Sequence, residues 1–147
     1  MVADFVAGAA ERLVLGSKQH DILLIEGQGS LAHPMYSAVT LGLLHGSQPQ
    51  ALILCFEAGR EEHGGIAGRK LRSLPELRTA YETVGRLVHP TEVIGIAMNG
   101  RRLSADEAET EKARVREEMG LPICDVFRDG PDELATAVLN FKEQLTP

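Results

Sequence analysis

Asp21-Ile22-Leu23-Leu24-Ile25-Glu26-Gly27-Gln28-Gly29-Ser30 is the stretch on which the fold turns: an apolar run without alternation ends in a glutamate and two glycines, and a helical pattern follows. A strand that does not alternate suits a parallel sheet, where both faces are covered. Ala51–Phe56 and Glu92–Met98 repeat the pattern, and the weaker run Ile123–Phe127 suits an edge strand. Helical spacing fills the intervals. Pro34–His45 carries Met35, Ala38, Val39 and Leu43 as one stripe, with Gly46 placed to end it. Ser73…Glu76 and Ser104…Glu107 match the capping box, in which serine and glutamate each satisfy an otherwise open backbone donor. The first box opens a helix with Leu74, Leu77, Tyr81, Val84 and Val88 on one face, and the second a helix with Ala108, Val115 and Met119 before Gly120. A last helix starts near Pro131, with Leu134, Val138, Phe141 and Leu145 as its stripe. Alternating strands and helices predict an α/β fold, a three-layer α/β/α arrangement with a mostly parallel sheet of about four strands in a single domain over residues 1–147.

Composition narrows the function classes. The 147 residues fit one domain, 44% hydrophobic and 24% charged, and no apolar run nears the roughly 20 residues of a membrane helix. The residues before Glu11 lack a basic leader, which points away from export and towards the cytoplasm. The net charge of -6, basic residues scattered apart from Arg60 and the cluster Arg69-Lys70-Leu71-Arg72, and the absence of tryptophan argue against nucleic acid as a partner. Cys55 and Cys124 lie far apart in apolar runs and read as small buried hydrophobes rather than a disulfide. Histidines and cysteines never pair at ligand spacing, so no zinc site is expected.

In open α/β sheets, ligands sit beyond the carboxyl ends of the strands. After the first run, Gly27 and Gly29 leave the backbone free to turn and to present amide N–H groups, with Gln28 and Ser30, to an anion near the following helix. Glu26 could serve magnesium through water or act as a general base, and His33 could do similar proton work, so both are candidates for catalysis. After the second run, the glycine-rich segment Ala58–Arg72 reads as the longest loop, and within it Arg60 and His63 are candidates to meet an anionic small molecule. No G-x-S-x-G elbow and no G-x-x-x-x-G-K-[ST] phosphate loop occurs in the chain.

The combination Glu26-Gly-Gln-Gly-Ser30, His33-Pro34 and Leu41-Gly-Leu-Leu-His-Gly46 resembles a family long described as a domain of unknown function, whose members have a P-loop NTPase fold. The likeness extends from Ala3–Glu11 through Leu52–Cys55 and Val93–Asn99 to Gly120–Asp125, and it matches the C-terminal portion of that family. It implies a P-loop NTPase-like fold here lacking the P-loop strand and helix, and lacking an N-terminal Rossmann-like domain. Members described functionally are similar to D-glutamate N-acetyltransferases, with acetyl-CoA as the implied cofactor, while an older label is NAD-dependent epimerase. A more distant similarity to dethiobiotin synthetase implies ATP and magnesium, with Glu26, Gly27 and Gly29 near the phosphates, Asn99 near adenine and Asp4 near a metal or phosphate. A sheet without its P-loop neighbour would leave an apolar edge for another chain to cover, so the resemblance also implies a truncated form, and a homo-oligomer or a missing N-terminal domain as the partner. Three functions follow: an acyl-transfer enzyme or a fragment of one, an ATP- and magnesium-dependent ligase-like enzyme, and a non-catalytic binding domain.

Overall fold

The computed structural model describes residues 5–145. Its elements run α1 (Val6–Gly16), α2 (Ser37–Ser47), β1 (Ala51–Glu57), α3 (Leu74–Gly85), β2 (Glu92–Asn99), α4 (Ala105–Met119), β3 (Ile123–Asp125) and α5 (Asp132–Leu145). The chain divides into two compact units, one of residues up to 50 together with 79–91, the other of 51–78 together with 92 onward.

The second unit holds the sheet, in the order β1-β2-β3 with both pairings parallel. The α/β class and parallel sheet expected from the sequence are present, with three strands among the described residues where about four were expected. Side chains alternate across a strand. Ile96 and Met98 therefore share a face, and they pack in a core with Leu74, Ala108, Val115, Met119 and Ile123. Gly95 points the other way, where a Cβ would meet the Leu134 side chain of α5. Helices α4 and α5 thus cover opposite faces of β2, which makes this unit a three-layer sandwich. Phe56, Leu103 and Leu121 close the core's rim.

Local signals explain the helix ends. Ser104 Oγ accepts from the Glu107 amide at 3.3 Å while Glu107 Oε2 accepts from the Ser104 amide at 2.8 Å, the reciprocal capping box that the sequence announced. Ser73 and Glu76 exchange the same pair of bonds. Gly120 ends α4 with a φ of 63°, a left-handed cap suited to glycine. Ala108, Val115 and Met119 are buried as their stripe demanded. Val88 is not on the face assigned to it: α3 stops at Gly85, and Val88 is exposed in the turn beyond.

The first unit is built on α1 against α2, and α1 had no prediction. Gly46 does not end a helix. It lies inside α2, where a Cβ would strike the backbone of Ala7, and Gly42 one turn earlier abuts Val6. The two glycines let the helices approach at backbone distance, and α2 continues to Ser47, capped by Gln48 with a φ of 47°. Its start also shifts, since Pro34 and Met35 belong to a preceding turn and the helix begins at Ser37.

The first apolar run is the main correction. Residues 22–25 form no strand, because an extended segment becomes one only when its N–H and C=O groups pair with a neighbour, and none among the described residues does so. Its side chains stay exposed, Leu24 by 80%. Cys55 is a second correction: on β1, an edge strand, it is exposed, whereas Cys124 is buried and both are free. The segment Ala58–Arg72 is less irregular than expected, since Glu62 and Lys70 form an antiparallel bridge. No helix among the described residues is long and apolar enough to cross a membrane.

Candidate functional site

In the first unit, the turn from Glu26 to Tyr36 is organised by its own polar groups. The Leu31 amide donates to the Tyr81 hydroxyl at 3.1 Å, the Ala32 amide to Ser30 Oγ at 3.2 Å, and the His33 amide to the Ser30 carbonyl at 3.0 Å. His33 is buried, and its Nδ1 accepts from the Met35 amide at 3.2 Å. An accepting Nδ1 carries no proton, so the neutral ring bears its hydrogen on Nε2. Its ring lies 4.5 Å from that of Tyr36. The carbonyl of His33 receives the amides of Tyr36 and Ser37, which joins the turn to α2. Thr40 Oγ1 donates to the Gln28 carbonyl and pins the turn's beginning to the same helix.

Gly29 has a φ of 49°, and a Cβ there would collide with the Tyr36 side chain, so the position requires glycine. Gly27 faces open space. The amides from Gly27 to Ser30 make no hydrogen bond with the described residues, in contrast to those from Leu31 onward. Glu26 is exposed rather than partly buried. Asp4 lies outside the described residues.

In the second unit, the carboxyl ends of the strands carry a different arrangement. The parallel register places Glu57, the last residue of β1, beside Asn99, the last of β2. Glu57 Oε1 accepts from Arg101 Nε at 2.5 Å and meets Arg102 Nε at 3.1 Å, while Oε2 faces an Arg60 terminal nitrogen at 3.4 Å. The hydrogen bond from Arg102, reinforced by Arg101, holds the Glu57 carboxyl below the usual carboxylate range. Asn99 Oδ1 accepts from the Arg101 amide at 3.2 Å and fixes the start of the loop.

Next to it, at the end of β3, Asp125 is buried with Oδ2 on Arg128 at 3.1 Å, and Arg128 reaches the Leu103 carbonyl at 2.6 Å. A Cβ on Gly100 would strike both the Asp125 carboxylate and the Arg128 guanidinium. The loop after β2 therefore lies flat on this pair. Asp129 adds a further brace, accepting from Lys112 at 2.7 Å and from the Asp125 amide at 3.0 Å.

The sequence candidates fall into two groups. Glu26, Gly27, Gln28, Gly29, Ser30 and His33 share the turn of the first unit. Arg60 and Asn99 enter the Glu57 cluster of the second, whereas His63 sits buried at the base of the bridged loop, its amide on the Arg69 carbonyl at 2.9 Å. Sequence reasoning missed Glu57, Arg101 and Arg102 as a cluster, and Tyr81 as a brace. The signal for the first was available: a glutamate ends one apolar run and an Arg-Arg pair follows the next by two residues. Among the described residues no group of three His, Cys, Asp or Glu could hold a metal ion.

Comparison with known proteins adds identity to this geometry. A D-glutamate N-acetyltransferase from Pseudoalteromonas sp is 37% identical over 138 residues, covering 91% of this chain and 41% of the relative. Another from Tritonibacter scottomollicae is 40% identical over 139 residues, covering 94% of this chain and 42% of the relative. The crystal structure of a DUF1611 family protein from Anabaena variabilis ATCC 29413 superposes with a TM-score of 0.89 at 42% identity, covering 95% of this chain and 42% of that one. The chain spans about two fifths of the length of the curated relatives it matches. A family model described as the P-loop domain of a domain of unknown function, DUF1611_C, matches residues 1–135, and the chain belongs to the DUF1611 family.

Proposed function

We propose that this chain is the P-loop-domain portion of an acyltransferase that moves an acetyl group to the amine of D-glutamate. The observation that carries the reading is the 37% and 40% identity, over nearly the whole chain, to two proteins named D-glutamate N-acetyltransferase. The turn supplies compatible chemistry. Open amides from Gly27 to Ser30 suit a carboxylate or a phosphate, since bare N–H groups stabilise negative charge without a counter-ion. Acetyl-CoA would supply the activated acyl group, and its phosphates fit such donors.

An ammonium is not a nucleophile, so the acceptor must lose a proton before attack. Glu26, exposed at the mouth of the turn, is the residue we assign to that step. His33 shapes the turn instead, because its acceptor nitrogen is already spent on the Met35 amide. Arg60, His63 and Asn99 are assigned to ligand binding in the sheet unit. A second reading, a nucleotide-binding enzyme using ATP and magnesium, is favoured by the family's description as a P-loop domain. The reading extends to a cytoplasmic protein that works with a further copy or with an N-terminal domain of the kind its longer relatives have room for.

The test is thiol release from acetyl-CoA in the presence of D-glutamate, measured on this chain and on the chain joined to the upstream part of the Tritonibacter relative. Activity of the joined protein that falls at least tenfold in Glu26→Gln supports the assignment. Turnover unaffected by that substitution removes Glu26 from the chemistry, and turnover only with Mg-ATP selects the second reading.

A further inference from the structure

The Glu57 cluster places three guanidinium groups on one carboxylate, an excess of two positive charges in a chain whose net charge is -6. How they are held matters more than the sum. Arg101 and Arg102 both meet Glu57 through Nε, so the two terminal nitrogens of each make no bond to the described residues. Those nitrogens form the end of the guanidinium that grips two oxygens at once. Both side chains are at least half exposed, while the Glu57 side chain that orders them is 10% exposed.

The support beneath is fixed. Asn99 holds the Arg101 amide, and Gly100 lies against the buried Asp125 carboxylate and the Arg128 guanidinium paired with it. Arginines on such a loop lose less freedom on binding than arginines on a mobile one. An open groove of about 400 Å³ begins at Gly59 and Leu103, directly beside Arg102, and leads to Asp106, Thr110 and Glu111. Its acidic wall opposes a second anion and offers acceptors to hydroxyl or amino groups.

We propose that Arg101 and Arg102, ordered by Glu57, bind the diphosphate group of a ligand whose remaining polar, uncharged part lies along this groove. Two adjacent forks match two adjacent tetrahedral anions, and the surplus of two charges matches their demand. A lone carboxylate would occupy only one fork. The proposal uses no residue of the Gly27–Ser30 turn and does not depend on acetyl transfer.

Inorganic pyrophosphate is the probe, titrated calorimetrically at low salt into the whole chain. The expected result is one site whose affinity falls at least about tenfold in the double variant Arg101→Gln/Arg102→Gln, the order of change for losing charge-assisted bidentate contacts. Glu57→Gln separates an ordered pair from a diffuse field: it makes the patch more positive, so a diffuse field would bind tighter, whereas loss of order weakens binding. Unchanged affinity in the double variant, or tighter binding in Glu57→Gln, overturns the proposal, with far-UV circular dichroism verifying that each variant is folded. Displacement of pyrophosphate by ADP or by a nucleoside diphosphate sugar, whose parts beyond the diphosphate are uncharged, supports it; displacement by neither overturns it. Because binding is read without turnover, an inactive protein that still holds pyrophosphate through these arginines defeats the acetyl-transfer reading alone.

Discussion

The turn at Gly27–Ser30 and the strand ends at Glu57, Asn99 and Asp125 both follow apolar runs, yet they present themselves to ligands in opposite ways. The turn offers backbone: four amides that make no hydrogen bond with the described residues, ahead of a tightly bonded segment that leads into α2. The strand ends offer side chains, with charges held by other charges over a parallel ladder. Only the second has sheet pairing directly beneath it. An anion site made of amides depends on a particular φ, whereas one made of arginines depends on what restrains their stems.

That contrast can be broken at its glycines. Gly100→Ala is expected to have the largest effect, about 3 kcal/mol lost in urea unfolding, because the new methyl group meets a buried carboxylate and its guanidinium partner. A loss under about 1 kcal/mol would mean that the strand ends are as adaptable as the turn. Gly29→Ala should cost about 2 kcal/mol through its left-handed φ and the Tyr36 side chain. Gly27→Ala, facing open space, should leave the unfolding midpoint nearly unchanged, and equal losses at 27 and 29 would deny that the turn is shaped by φ at all.

Smaller effects sharpen the picture of the sheet unit. Ser104→Ala removes the box that starts α4 just after the arginine loop and should cost about 1 kcal/mol, measured by thermal or urea unfolding. Acid should loosen this unit by a defined route. Lys112 first, then the Asp125 amide, holds Asp129 below its ordinary value of 3.8, and Arg116 holds Glu133 below 4.5. A carboxylate with a depressed folded pKa stabilises above its unfolded value and loses that contribution as pH falls through the folded one. Stability should therefore decline from about pH 4.5 downward, and Asp129→Asn should show a shallower decline in that window. An identical slope in the variant would remove Asp129 from the brace.

What the sequence disclosed follows the range of the forces involved. Ser104…Glu107 and Ser73…Glu76 were legible because each box closes within four residues. The stripe Ala108, Val115, Met119 was legible because helix periodicity decides which side is covered. Gly46 misled, since a glycine that ends a helix and one that lets another helix approach look alike until α1 is in place. The run at residues 22–25 misled for a related reason: apolar composition proposes a strand, but pairing makes one. At the candidate sites, the turn's glycines were legible from their own chain neighbourhood, while the Glu57 cluster needed the Glu57–Asn99 register to join residues more than forty positions apart.

Gly100 has a consequence for how recognition could change over time. With no room for a side chain, the loop path is set from below, and the two positions after it inherit that path whatever residues they carry. Lysine, glutamine or serine at 101 and 102 would present new chemistry from the same platform, so ligand preference can drift or be redesigned there without repacking the interior.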